Sequence, residues 1–293
     1  MPLDQSLIGH ETSSEHVLIA AEDIREFADA IGDANPIFHD EFAAQQAGFT
    51  HLPVTPTFVT RLRVSFADAG LDPEHSQVLH GEQEYVYTRP LLAGETVVSR
   101  HRVATIRQSG RGGMAIMTLE HLCDTPNGER IVTGKSTVLV RDMPPEGAAA
   151  AGAGAAKPRP TQPQESTSAL TLSKHVTQEQ INAYAEVSGD HNPIHVNPEA
   201  ARSVGLDGTI AHGMLSMAFA GQMLTDWLAA QAERGGWVAR LRVRFQAMVR
   251  PGDTLICHGN PGERAGNRQP VELWIENQHG ERVISGDAEV AFP

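Results

Sequence analysis

The chain has 293 residues, 40% of them hydrophobic, and a formal net charge of −13 at pH 7. That length suits one large or two modest domains with a real core, and no run approaches the roughly 18 apolar residues of a membrane span. The acidic balance argues against nucleic acid as a partner, while an anionic small ligand would need only a local cluster of arginines.

The N-terminal stretch MPLDQSLIGHETSSEH has no basic segment followed by an apolar one, so no secretory signal is expected. The closing EVAFP matches no peroxisomal or endoplasmic-reticulum address. Cys123 and Cys257 are too far apart to suggest a disulfide framework or a zinc cluster, and a reducing cytoplasm is the expected compartment.

In chain order, the first notable string is Gly32-Asp33-Ala34-Asn35-Pro36-Ile37-Phe38-His39. A short helical stretch carrying Arg61 and Arg63 follows from Pro56. Four alternating segments come next, at 78–90, 96–108, 113–124 and 129–142, and read as strands. Residues 146–168 are rich in Ala, Gly, Pro and Ser without a periodic apolar face. They read as a flexible linker, with a short Ala-rich helix as the alternative. The linker divides the chain into residues 1–145 and 169–293.

In the second part, 177–187 reads as a helix with Thr177 as N-cap and Glu179 and Gln180 in its first turn. Asp190-x-Asn192-Pro193 breaks it, because proline disfavours helix in the residue before it. A second short helix, 198–204, stops at Gly205. His212-Gly213 then opens a long helix over 214–234, apolar on nearly every side as far as Asp226 and therefore buried. Strand candidates at 237–245, 253–260, 269–277 and 281–292 complete an α+β pattern in which a sheet wraps one helix.

The two parts repeat each other. Adding 157 to a number between Phe27 and Phe58 lands on its counterpart, and 9 of these 32 positions are identical. Gly32-Asp33-x-Asn35-Pro36-Ile37 meets Gly189-Asp190-x-Asn192-Pro193-Ile194, and Gly48 meets Gly205. Phe38 stands where the second copy has His195, and Pro56 stands where it has Gly213.

The string Tyr184, Ser188-Gly189-Asp190-His191-Asn192-Pro193-Ile194-His195, with His212-Gly213-Met214 opening a long helix, resembles the MaoC-like dehydratases, the R-specific (type 2) enoyl-CoA hydratases. The resemblance implies a double hotdog fold: two tandem α+β hotdog domains paired as single-domain members pair in a dimer, the first degenerate. It implies reversible hydration of trans-2-enoyl thioesters to (R)-3-hydroxyacyl thioesters. The acyl group would be carried by coenzyme A or acyl-carrier protein, with no metal or redox cofactor. One chain would form a pseudo-dimer, alone or in a homodimer.

Hydration of an unsaturated thioester needs a base for water, a proton for the α-carbon and a donor for the enolate oxygen. Asp190 and His195 are the candidates for the first two tasks. Asn192 orients the water or holds the loop; Asn35 persists in the copy without the histidine, which favours loop holding. Gly213 heads a helix, where free N–H groups and the helix dipole favour negative charge, and a glycine admits a carbonyl closely. Pro56 has no N–H to give. The first copy therefore lacks two catalytic requirements, and it is expected to keep the fold and shape the acyl pocket.

Each assignment has a plainer counterpart. Asp190 is also a turn former, as Asp33 is, and His195 also fits a satisfied core histidine. His39 reads as structural or exposed. His191 and His212 read as mechanical, with His212 and Met214 placed beside the substrate. The histidines at 191, 195 and 212 lack a carboxylate or cysteine at ligand spacing, so no metal is expected. Arg240, Arg242 and Arg244 mark either a solvated strand face or, for Arg242 and Arg244, contacts to coenzyme A phosphates. Met214, Met217 and Met223 read as core or pocket lining. Two rival functions stand beside hydration: a hotdog acyl-thioester hydrolase and a non-catalytic acyl-binding subunit.

Overall fold

The computed structural model describes residues 4–62, 76–108, 114–142, 168–231 and 234–293. The expected linker therefore lies outside the described residues, apart from Ser168, and so does most of the helical stretch expected after Pro56. The described part of that stretch is a 3-10 turn, Phe58–Leu62.

Ten strands form one antiparallel sheet: β1 (Glu15–Leu18), β2 (Ser76–Tyr87), β3 (Thr96–Gln108), β4 (Met114–Asp124), β5 (Arg130–Asp142), β6 (Leu170–His175), β7 (Trp237–Phe245), β8 (Thr254–Pro261), β9 (Arg268–Asn277) and β10 (Arg282–Ala291). The order across the sheet is β1-β3-β4-β5-β2-β7-β10-β9-β8-β6. Five strands of each half lie side by side, and the halves join where β2 pairs with β7 between Glu82↔Arg244 and Val86↔Arg240. The long alternating segments of the sequence appear as strands with ends within three residues of those expected. The short edge strands β1 and β6 were not expected, since each is only four to six residues long and half exposed.

The helices are α1 (Ala21–Ala30), α2 (Glu41–Gln46), α3 (Gln178–Ser188), α4 (Pro193–Val196), α5 (Pro198–Ser203) and α6 (Gly213–Ala229). The Thr177 side chain caps α3 by accepting from Gln180 N, 3.1 Å away. Gly189 then ends α3 in the left-handed region at φ +69°, a conformation that costs a glycine nothing. Every residue of α6 from Met214 to Thr225 is buried, as its apolar character on all sides requires.

One hydrophobic core runs through both halves. Phe27 on α1 and its counterpart Tyr184 on α3 meet edge to face, 5.9 Å between ring centres, and Phe27 packs likewise on Phe58 at 5.6 Å. Pro56 lies so close to α6 that a Cβ on Gly221 would stand 3.2 Å from it. Among the described residues no helix is long and apolar enough to cross a membrane.

Candidate active site

The loop between α3 and α4 is built by short polar side chains folding onto their own backbone. Asp190 N–H donates to Ser188 Oγ (3.3 Å), Asn192 N–H to Asp190 Oδ1 (3.4 Å), and Ile194 N–H to Asn192 Oδ1 (3.3 Å). Asn192 is thus the N-cap of α4, and Pro193 takes the first helical position, where its missing N–H costs nothing. The first copy repeats the device: Ile37 N–H donates to Asn35 Oδ1 at 3.3 Å. The loop-holding role of this asparagine is therefore visible in both halves, while Asn192 also faces the cavity described below.

The four-residue helix α4 turns His195 inward, where it is 8% exposed. Its Nδ1 lies 2.8 Å from Ile210 O. A carbonyl oxygen only accepts, so Nδ1 carries a proton. By the same argument His212 donates from Nε2 to Asp190 O at 2.9 Å, tying the Asp190 loop to the start of α6. The two imidazoles lie close, 3.8 Å between centres and tilted by 31°, and Tyr184 lies 5.1 Å beyond His212. His39 makes the matching bond in the first copy, Nε2 to Asp33 O at 2.7 Å, so its structural reading holds there.

A carboxylate oxygen of Asp190 and one ring nitrogen each of His195 and His212 lie within 4.8 Å of one another. The expectation that the histidines lack a carboxylate at ligand spacing is corrected for His195 and His212, to which Asp190 supplies one; the meeting of Asp190 and His195 is the convergence that the Asn-Pro turn permits, and the approach of His212 is new.

Asp190, Asn192, His195, His212, Gly213 and Met214 all line one cavity of about 150 Å³. Gly213 is the first residue of α6, and first-turn N–H groups have no partner inside a helix. Glycine at this position also makes room for a neighbouring side chain: a Cβ there would stand 3.0 Å from two ring carbons of Phe245 on β7. The remaining wall includes residues that sequence reasoning missed: Val78, His80 and Val138 from the first half, and Phe245 and Met248 from the second. Gly81 inside an otherwise alternating stretch was the available signal, since glycine in a strand marks a bulge.

Arg242 and Arg244 do not line this cavity. They sit directly across the seam from Glu84 and Glu82 and pair with Glu82, Arg242 at 3.3 Å. Hydrogen bonding from Arg244 holds the Glu82 carboxyl below its ordinary range. Arg240 pairs with Glu84 at 2.6 Å and with Asp287. These ion pairs stitch the two halves in the cross-strand arrangement that favours opposite charges, while the Arg242 and Arg244 side chains stay 45% and 64% exposed.

The equivalent place in the first copy holds a cavity of only about 40 Å³, lined by Phe38 and Pro56 among other apolar groups. Phe38 is 1% exposed and fills the space where the second copy keeps an imidazole. Asp33 is also 1% exposed, and burial pushes its carboxyl up to about 6.

A buried helix, α6, packed on the second half-sheet and two halves sharing one continuous sheet accord with a double hotdog fold. A solved MaoC-like dehydratase superposes on the chain with a TM-score of 0.80 at 20% identity, over 99% of both chains. A Mycobacterium tuberculosis protein described as a double hotdog fold superposes with a TM-score of 0.68 at 13% identity, over 97% of this chain and 96% of that one. Residues 6–134 match the profile of the FAS1-like dehydratase domain region, and residues 158–277 match that of the MaoC like domain. The UPF0336 protein of Parafrankia sp. (strain EAN1pec) is 36% identical over 151 residues, which is 50% of this chain and 99% of that protein. The chain belongs to the MaoC-like dehydratase family.

Proposed function

We propose that the protein hydrates trans-2-enoyl thioesters reversibly to (R)-3-hydroxyacyl thioesters. The observation that carries this reading is the convergence of Asp190, His195 and Gly213, the first residue of α6, on one cavity. A water held between the Asp190 carboxylate and His195 Nε2 gives a proton to that pair as its oxygen bonds the β-carbon. Electron density moves through the α-carbon into the thioester carbonyl, and the Gly213 N–H receives the developing enolate oxygen. The pair then returns a proton to the α-carbon from the same face. Each preorganised donor of this type contributes about 3–4 kcal/mol to lowering the barrier. No metal or redox step enters. The R configuration follows from the family resemblance, and the carrier is coenzyme A or acyl-carrier protein. We further propose that the halves divide at the composition break, residues 1–145 forming the degenerate copy and 169–293 the catalytic one.

The test is loss of enoyl absorbance with crotonyl-CoA and longer enoyl-CoA substrates, paired with chiral analysis of the product. Asp190→Asn and His195→Gln should each lower kcat by about 10² or more. Release of free coenzyme A instead would identify a hydrolase. Tight acyl-CoA binding with unchanged absorbance would identify a non-catalytic subunit.

A further inference from the structure

Among the described residues of the first half, one titratable side chain lines the cavity, His80, and a defect in its strand puts it there. The β2–β5 register slips between His80 and Glu82, leaving Gly81 as an extra residue. Beyond the slip, the inward set of β2 runs Gln83, Tyr85 and Tyr87, all buried. Regular alternation would turn His80 outward from that set. With one residue inserted, His80 stands opposite Val138, which is 1% exposed, and joins the helix side of the sheet. The β2–β7 pairing ends at Glu82↔Arg244, so His80 lies where the seam opens next to Phe245.

The His80 ring is held from one side and presses on the other. Gln83, 2% exposed, donates its amide to Glu84 O at 3.1 Å, which turns Oε1 toward His80 and Ser136. Oε1 accepts from Ser136 Oγ at 2.5 Å and from His80 Nε2 at 3.1 Å. On its far side the imidazole meets Phe245, 5.0 Å between ring centres, and the Phe245 ring occupies the space beside Gly213, 3.0 Å from where a Cβ would stand. A stack of side chains thus crosses the seam, from Ser136 and Gln83 through His80 and Phe245 to the first residue of α6.

We infer that His80 is a positioning residue: acting through Phe245, it sets the place of the Gly213 amide that receives the enolate oxygen. The inference rests on the hydratase reading above, since the amide matters to catalysis only if a charge develops beside it. Donor placement is exacting, and a displacement near 1 Å costs on the order of 10²-fold in rate. Loss of one packing partner two contacts away should cost less, about tenfold.

The test compares His80→Ala with His80→Phe, each checked for unchanged cooperative unfolding, in steady-state hydration of crotonyl-CoA and by NMR of protein labelled with nitrogen-15 glycine. His80→Ala should lower kcat about tenfold with little change in KM and should move the Gly213 amide resonance. His80→Phe keeps a ring against Phe245, and it should restore both the rate and the resonance. An active wild type whose kcat survives His80→Ala would overturn the inference while leaving the reaction intact. A raised KM that His80→Phe does not repair would replace positioning by direct substrate contact, and so overturn it too. If the wild type hydrates no enoyl thioester, the hydratase reading fails separately. An unmoved Gly213 resonance in His80→Ala would then dismiss the mechanical link on its own.

Discussion

Asp33 makes the first copy a test of how burial taxes a carboxylate. Its side chain is 1% exposed, and burial raises its pKa from the ordinary 3.8 to about 6. The nearby Asp226 charge adds to the rise, while the Asn35 N–H, 3.0 Å from Oδ1, and Lys174 oppose it. A raised folded pKa means that the folded state holds the proton more tightly than the unfolded chain does. Its favourable effect is therefore complete below about pH 4 and is lost as pH rises through about 6. Two units correspond to roughly 3 kcal/mol. Asp33→Asn keeps the acceptor for Asn35 and removes the charge. It should flatten the decline in stability between about pH 4 and 7 and make the variant more stable than wild type at pH 8. The gain should be about 6 °C in Tm at the usual conversion for larger domains. Urea and thermal unfolding across that range measure both quantities. Parallel curves for the two proteins, or a less stable variant at pH 8, would show that Asp33 stays comfortably ionised and that the reasoning from burial is wrong.

Other outcomes follow from the same geometry. Gly213→Ala keeps the backbone N–H but crowds Phe245, and by displacing the donor it should lower kcat by about 10² with a smaller effect on KM, measured by steady-state hydration; an unimpaired rate would show that Phe245 yields without moving the start of α6. The double change Arg242→Ala, Arg244→Ala should leave KM for enoyl-CoA unchanged and shift stability by no more than about 1 kcal/mol, because both pairs are well exposed. A several-fold rise in KM would restore the phosphate contact. Phe38→Ala should cost about 3–5 kcal/mol in urea unfolding while leaving hydration intact, since Phe38 is core and not site.

Much of this was legible in the sequence for identifiable reasons. The Asp-x-Asn-Pro bend announces itself, because proline at the first helical position and asparagine before it leave one local geometry, and both copies adopt it. The long helix was readable because burial on all sides leaves no polar stripe to mislead. Contacts across the seam were not readable. Nothing in the alternation of Arg240, Arg242 and Arg244 distinguishes solvent from Glu82 and Glu84, which lie about 160 positions earlier. Nor does spacing show that Phe245 covers Gly213, or that one surplus glycine turns His80 inward. The approach of Asp190 to His212 was likewise missed, because 22 residues separate groups that a bend and a helix start bring together.

The junction of β2 and β7 has a consequence for how such a protein could diverge. Two separate copies able to pair would also pair with themselves, and a pair of first copies would hold Phe38 twice and no working centre. With both copies on one polypeptide, the productive partner is always at hand, at an effective concentration that free subunits would rarely reach. One copy can then trade its reactive groups for bulk and shape without diluting the population of competent molecules.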